Sequence, residues 1–579
     1  MGSTSARLAS RSSIALIAAI GFLFVSSARA EDRVFDPAEF DRALSRIVEG
    51  KGATAPIASA AIAVMVGDRI VYEGAAGCAE FARDGAACVR AATPTSKMRV
   101  ASISKLALAL GIETLVADRR IDLDEDVSTY LGWELRNPAF PSTPITIRQL
   151  MSHKSSVIDP DEYWVAAPGS FRALFAPDSA PFDSAHAPGA WFRYSNLNYG
   201  ILAGVIEAVT HERFDRFMTS ALFEPNGLDI GYNWSGVTAE AREQGVVQYL
   251  YGGESWTEAA DAPSILNAET PAILVADGVD ASAYLDRYTP GENPTLFSPQ
   301  GGLRASVDDL LLVLRMLRQH DNLAIPQWRV DPNHPNGETE GGYYSGFGLG
   351  VQLVEGNKKF LKGASLIGHP GEAYGLFAGA WILKADATEG REEDISIAFA
   401  ATGVDPAPKK GAHPTFNALE ERLMRLALKA AKAGGEPRPF AERADAKADI
   451  GAALSAAKAS GRKVIVIFGA NWCRDSRGLA KMFATPPLKN LIENNFELVW
   501  VDVGVRDKNL DIVRQYGAPL IGTPTVLILS ADGAPLNVET ASDWRKAESR
   551  TLDEALVYFG SFSAEQKALR RGKISAVYD

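Results

Sequence analysis

The chain has 579 residues, more than one ordinary hydrophobic core organises, so two or more domains are expected. Its 71 aspartates and glutamates outnumber 59 lysines and arginines, giving a net charge of −12 on an otherwise ordinary globular composition. That acidic balance argues against nucleic acid and against an anionic lipid surface as partners.

Arg7 and Arg11 precede an apolar run from Ile14 to Val25, and Ala28-Arg29-Ala30 follows. This pattern predicts a secretory signal over residues 1–30, cleaved after Ala30. The run is short for a bilayer span, and no later stretch is long and apolar enough for one. The mature chain is therefore expected in the periplasm or outside the cell, with no membrane span. In such an oxidising compartment Cys78 and Cys88, which flank the polar loop 79–87, could pair and clip a hairpin tip. Cys473 is then left over as a free thiol.

The apolar spacing of Phe40, Leu44 and Ile47 predicts a helix over 35–48. Strands follow at 60–66 and 70–74 around Gly67-Asp68. Ser102-Ile103-Ser104-Lys105 then enters an apolar helix. Residues three apart share a helix face, so Ser102 and Lys105 can touch. A serine hydroxyl needs a base before it becomes a nucleophile, and a lysine serves only if burial lowers its pKa. A helix start also offers free N–H groups to a developing oxyanion. Two further stretches matter: Tyr194-Ser195-Asn196, which opens a helix over 196–209, and His369-Pro370-Gly371 in a strand-like, Gly-rich run. Between them lie an irregular loop at 159–190, an insertion at 223–300 and a helix at 307–317. Strands are predicted at 344–354, 365–368, 375–383 and 395–400, and a closing helix at 416–431.

Ser-x-x-Lys, Tyr-x-Asn and His-x-Gly, in that order, resemble the serine β-lactamase and penicillin-binding-protein superfamily, in particular its class C and esterase branch. Ile145 to His153, Gly301-Gly302-Leu303 and Asp308-Asp309-Leu310 support the likeness, which covers about residues 36 to 433. It implies that Ser102 attacks a carbonyl and forms an acyl-enzyme. Lys105 and Tyr194 share the proton transfers, the nearby cation favouring a phenolate, and Asn196 orients Lys105 and substrate. His369, where a lysine is more usual, keeps Tyr194 poised by charge or hydrogen bond. The N–H groups of Ser102 and Glu372 form the oxyanion hole beside Gly371. His153 is implied to be structural. Two departures stand out. The usual Thr-Ser-Gly after that histidine is Lys154-Ser155-Ser156, which is expected to reshape the loop. Pro370 replaces a hydroxyl residue that holds the carboxylate of β-lactams, which favours esters or D-amino-acid peptides as substrates.

Alanine, lysine, glycine and proline crowd residues 429–439, placing a linker at 434–440 between a domain at 31–433 and a second at 441–579. The second begins with a helix at 441–459 and an apolar strand at 464–468. Asn471-Trp472-Cys473-Arg474-Asp475-Ser476 comes next, and Thr523-Pro524 precedes a strand at 526–529. This resembles the thioredoxin fold, in which the proline is cis and faces the active cysteine. Cys473 at a helix start is expected to be a reactive thiolate. Ser476 stands where the resolving cysteine belongs, so no internal disulfide closes. A thiol-containing protein partner fits Cys473. The seven histidines and three cysteines show no metal-ligand spacing, and no phosphate-binding Gly loop is present, so no cofactor is expected. The fold class is accordingly α/β and α+β: a sheet-plus-helical hydrolase domain, then a thioredoxin fold, acting on a small-molecule or peptide substrate. The rivals are a non-catalytic penicillin-binding-like sensor and a thiol-disulfide protein built on Cys473.

Overall fold

A computed structural model describes residues 37–563 apart from 52–54, 83–84, 86, 177–180, 253–254, 267, 387–392, 434–438, 442–443, 472 and 505. The expected signal segment, most of the expected linker, Trp472 and residues 564–579 lie outside the described residues.

The first domain is built on a nine-stranded sheet. Helix α1 (Pro37–Val48) leads into β1 (Ser59–Val66), β2 (Arg69–Phe81) and β3 (Cys88–Ala91). After a largely helical middle come β4 (Trp328–Arg329), β5 (Gly346–Phe347), β6 (Gln352–Asn357), β7 (Phe360–Ala373), β8 (Leu376–Leu383) and β9 (Ile395–Thr402). The strand order is β3-β2-β1-β9-β8-β7-β6-β5-β4. Its central seam pairs β1 with β9 in antiparallel register, Ser59 opposite Thr402 and Val66 opposite Ile395.

The alternation along β1 explains why both sheet faces are covered. Ala60, Ile62 and Val64 pack with Phe40, Leu44 and Ile47 of α1 and with Leu423 and Met424 of a C-terminal helix (Ala418–Ala433). Ala61, Ala63 and Met65 face the helical middle on the other side. Three helices matter there: α2 (Ile103–Ala117), α3 (Leu197–Thr210) and α4 (Val307–Leu317), and the C-terminal helix is then α5. Helix α2 is apolar on every face and almost wholly buried, as befits a helix at the centre of a domain. Helix α4 starts with a reciprocal cap between Ser306 and Asp309. Asp309 also pairs with Lys97 at 2.7 Å, fastening α4 to the segment that leads into Ser102.

Several expected elements differ in detail. The single strand expected over 344–354 is two, β5 and β6, because the chain turns between them where Gly350 adopts φ +74°. His369 lies well inside β7, which is longer than expected. Cys78 and Cys88 are disulfide-bonded across the β2–β3 hairpin. Ser156 adopts φ +66°, the left-handed conformation a glycine would favour, and its hydroxyl receives the Asn137 side-chain N–H at 3.0 Å. The loop after His153 therefore turns at Ser156 without a glycine.

The second domain carries α6 (Ala446–Ser460), β10 (Lys463–Gly469), α7 (Arg474–Ala484), β11 (Phe496–Asp502), β12 (Thr525–Leu529) and α8 (Leu552–Gly560). Its sheet runs β11-β10-β12, with β10 parallel to β11 and antiparallel to β12. Val464, Val466 and Phe468 face Ile450 and Ala457 of α6. Ile465 and Ile467 face Leu479 and Phe483 of α7 and Phe559 of α8. The first helix begins later than the sequence suggests, because Asp445 caps it by accepting the N–H groups of Lys447 and Ala448. The Thr523–Pro524 peptide bond is cis.

Candidate active site

The nucleophile turn is held from three sides. Arg99 donates to the Gly301 carbonyl at 2.9 Å, Val100 N–H to the Leu303 carbonyl at 2.9 Å, and Leu303 N–H to Ser104 Oγ at 2.9 Å. The second serine of the motif is thus structural, and Gly301-Gly302-Leu303 is its buttress. Ala101, just before Ser102, sits at φ +48°, a left-handed conformation that its small side chain tolerates. On the far side β7 comes so close that a Cβ on Gly371 would lie 2.3 Å from the Val100 carbonyl oxygen. Glycine at 371 therefore sets the distance between β7 and the nucleophile turn.

Ser102 is the residue before α2, and its side chain does not cap the helix. The N–H groups of Ile103, Ser104 and Lys105 go to the carbonyls of Val100, Ala101 and Ser102. No described backbone carbonyl takes the Ser102 N–H.

Lys105 has no solvent exposure. Its Nζ donates to Ser102 Oγ at 2.9 Å, Asn196 Oδ1 at 2.8 Å and the Gln300 carbonyl at 2.8 Å. Burial lowers its pKa to about 7, against the opposing pull of the Asp159 charge. Nζ also lies 5.0 Å from the centre of the Tyr194 ring. The Tyr194 hydroxyl bonds with Ser102, yet burial pushes this phenol well above its ordinary range. Tyr194 is therefore a neutral phenol in the resting site, not the phenolate expected from its cationic neighbour. Desolvation of this half-buried ring, with the charges of Asp159 and Glu340, favours the protonated form.

His369 also departs from its expected role. Burial, then the charge of Lys105, lowers its pKa to about 3. Its Nδ1 is 2.7 Å from the Pro370 carbonyl, to which it donates, leaving Nε2 as a buried lone pair without a partner. The His369 and Tyr194 ring centres are 6.2 Å apart. A neutral imidazole at that distance does not poise Tyr194 by charge.

His153 is structural, as the resemblance implies. It is buried, its Nδ1 accepts from the Ser195 N–H at 3.1 Å, and its ring stacks on Tyr194 with centres 4.3 Å apart. Asp159 is the residue that the sequence reading missed. One carboxylate oxygen accepts Ser195 Oγ at 2.7 Å and the Leu197 N–H at 2.9 Å. The other accepts the Asn196 backbone and side-chain N–H groups, each at 2.9 Å. Asp159 thereby caps α3 and fixes Asn196, whose other amide atom holds Lys105. Its only sequence signal was an acidic residue before a proline at the start of the irregular loop.

Ser102, Tyr194, Asn196, His369 and Glu372 line one cleft of about 920 Å³. Cys473, Ser476 and Pro524 belong to the second domain. Cys473 is the residue before α7, is 8% exposed, and gives its thiol hydrogen to the Thr523 carbonyl at 3.2 Å. The sulfur is thus buried and held against the Thr523–Pro524 turn. Ser476 is fully buried, and its Oγ has no partner among the described residues. Among the described residues no group of His, Cys, Asp and Glu is arranged to hold a metal ion, and no helix is long and apolar enough to cross a membrane.

The chain belongs to the beta-lactamase family, whose model matches residues 44–422. Residues 445–531 match a thioredoxin-like family. Over 136 residues the chain is 29% identical to Protein flp of Staphylococcus aureus (strain N315), covering 23% of this chain and 27% of that protein. It is 24% identical over 224 residues to a putative penicillin-binding protein, PbpX, of Bacillus subtilis (strain 168), covering 35% and 52%. The chain thus spans about a quarter and about half of these relatives' lengths. Among solved structures, D-amino acid amidase from Ochrobactrum anthropi SV3 is 17% identical with a TM-score of 0.45, covering 68% of this chain and 99% of that one. EstCE1, described as a hydrolase with promiscuous acyltransferase activity, is 19% identical with the same TM-score of 0.45, covering 67% and 98%.

Proposed function

We propose that the protein is an exported serine hydrolase that cleaves esters or amides through an acyl-enzyme on Ser102. The observation that carries this reading is the buried Lys105 amine, 2.9 Å from Ser102 Oγ and with a pKa of about 7. Near neutral pH a large fraction of that amine is unprotonated and can act as a base. It takes the Ser102 proton as Oγ bonds to the substrate carbonyl carbon, and the carbonyl electron pair moves onto oxygen. The Ser102 and Glu372 N–H groups receive that oxyanion. When the tetrahedral adduct collapses, the bond to the leaving group breaks. Tyr194 gives its proton to that group and recovers one from the Lys105 ammonium. Water then attacks the acyl-enzyme in the reverse sense. A neutral Tyr194 suits this relay better than a phenolate, because it has a proton to give.

Pro370 offers no hydroxyl and no N–H, which points away from β-lactams and towards uncharged esters or D-amino-acid peptides. The signal pattern and the Cys78–Cys88 bond both support a periplasmic or secreted location. A thiol-bearing protein remains the partner that suits the second domain. The test of the hydrolase reading is labelling with a fluorophosphonate and with penicillin, followed by mass mapping. The phosphonyl group is expected on Ser102, with little acylation by penicillin. Labelling at another serine overturns the assignment.

A further inference from the structure

The turn that presents the Gln300 carbonyl to Lys105 is gripped by two arginines. The Ser298 carbonyl closes this turn by accepting the Gly301 and Gly302 N–H groups at 3.0 and 2.6 Å. Arg99 holds one side of it, through the Gly301 carbonyl and Ser298 Oγ. Arg304 holds the other side. Its Nη1 donates to the Gly302 carbonyl and, at 2.7 Å, to the Tyr232 carbonyl. The Tyr232 hydroxyl in turn donates to the Ser104 carbonyl at 2.6 Å, in the first turn of α2. Through Tyr232, one guanidinium ties the Gln300 turn to the helix that carries Lys105.

The insertion at 223–300 keeps Arg304 in place. Met98–Arg99 and Arg304–Ala305 pair antiparallel, so the two arginines stand opposite each other. Arg304 is 6% exposed. Burial lowers its pKa, the charge of Asp261 opposes that, and the charge of Arg99 adds to it. Asp261 is 2% exposed, follows the strand Trp256–Ala260, and accepts Arg304 Nη2 on Oδ1 at 2.8 Å. It adopts φ +51°, a left-handed conformation that aspartate tolerates better than most residues. Gln248, paired with Ala260 and wholly buried, gives Nε2 to the Arg99 carbonyl at 2.9 Å.

This cluster is poorly built for stability alone. Arg304 Nε, Asp261 Oδ2 and Gln248 Oε1 are buried without a partner among the described residues. A buried ion pair gains little over apolar residues even when every polar atom is satisfied, and less when atoms are left over. What the cluster does supply is direction. A planar fork fixes two carbonyls at once, which neither an apolar side chain nor a lysine reproduces.

We infer that Asp261 and Arg304 are positioning residues for acyl transfer: they fix the Gln300 carbonyl against Lys105 and so place the amine that takes the Ser102 proton. This rests on the hydrolase reading, and the test separates the two. Full-length wild type, Arg304→Lys and the double variant Arg304→Gln/Asp261→Asn are compared on p-nitrophenyl butyrate between pH 5 and 9, with thermal unfolding of each. Arg304→Lys keeps a charge beside Asp261 and loses the fork. The double variant removes both charges together, so neither is left unpaired and the net charge is unchanged. Its Tm is expected within about 3 °C of wild type. Its kcat is expected to be at least about tenfold lower, with KM changed less than about threefold. A Lys105 ammonium short of one acceptor sheds its proton more easily, so the acidic limb of kcat/KM is expected at least about half a pH unit lower. Arg304→Lys is expected to show the same changes in kcat and limb. A merely structural pair would lower Tm and leave the limb in place. An unmoved limb or an unchanged kcat in a folded variant overturns the positioning role. So does loss of cooperative unfolding in both variants, which makes the pair a folding requirement. Wild type that fails to hydrolyse p-nitrophenyl butyrate overturns the hydrolase reading instead.

Discussion

Ser102 and Cys473 are the same local device with different partners. Each is the residue immediately before a helix, and neither side chain caps that helix. Each also has a polar residue three positions on, Lys105 in one case and Ser476 in the other. Lys105 gives Ser102 a base at 2.9 Å, and Ser102 opens on a large cleft. Ser476 gives Cys473 neither a base nor a second sulfur, and the thiol turns to the Thr523 carbonyl. A nucleophile at a helix start is therefore not sufficient for reactivity. The group one turn further on decides whether the nucleophile can shed its proton and whether the product can be resolved.

The most severe way to break this comparison is to remove the first nucleophile. Ser102→Ala is expected to reduce turnover of p-nitrophenyl butyrate by at least about a thousandfold, measured by steady-state absorbance. Residual activity near wild type would mean that Ser102 is no more engaged than Cys473. The next test concerns what holds the base in place. Asp159→Asn is expected to cost about a hundredfold in kcat, because the amide cannot accept the four N–H and O–H groups that fix Asn196 and α3. It also removes a charge that raises the Lys105 pKa. The acidic limb of the pH profile should therefore move to lower pH, which simple misfolding would not produce.

A smaller effect reads the lysine directly. With a pKa of about 7, Lys105 is protonated below that pH and free above it. In wild type kcat/KM is expected to rise about tenfold per pH unit up to about 7 and then level off. A profile flat between pH 5 and 8 contradicts a lysine base. The smallest expected signal is at the other helix start. Wild type should not reduce insulin with dithiothreitol. Ser476→Cys should gain a slow activity, seen as turbidity, because a mixed disulfide on Cys473 can then be released internally. Because its sulfur is buried and donates to a carbonyl, Cys473 should label with iodoacetamide more slowly than a free model thiol at pH 7. Fast labelling would narrow the contrast between the two sites.

Much of this was legible from residue types alone, and the reason is spacing. Ser102 and Lys105 must share a helix face, and the Tyr194 and His369 motifs are short, so local order records them. Trp472-Cys473 with Thr523-Pro524 marks the second fold in the same way. What the chain order does not record is contact at a distance. Asp159 meets Ser195, Asn196 and Leu197 only because the loop folds back on α3. The Gln300 contact to Lys105 is made by a backbone carbonyl, which any residue could supply. Charge states were also hidden. Tyr194 beside a lysine reads as a phenolate and His369 as a stand-in cation, whereas desolvation favours the uncharged form of each. Asp261 and Arg304 carried no signal, because charged residues 43 positions apart read as solvated surface until the fold pairs them.

The β1–β9 seam has a consequence for how the chain is made. Residues 59–66 find their second neighbour only in residues 395–402, almost the whole domain later. A ribosome delivering the chain from its N-terminus leaves β1 with an open edge until that last strand emerges. Closure of the sheet is thus a late, non-local event, which slows folding and keeps apolar strands unpaired through most of synthesis. The same delay makes the nascent chain a client for holding chaperones, and a truncation before residue 395 leaves β1 with an unpaired edge and no closed sheet.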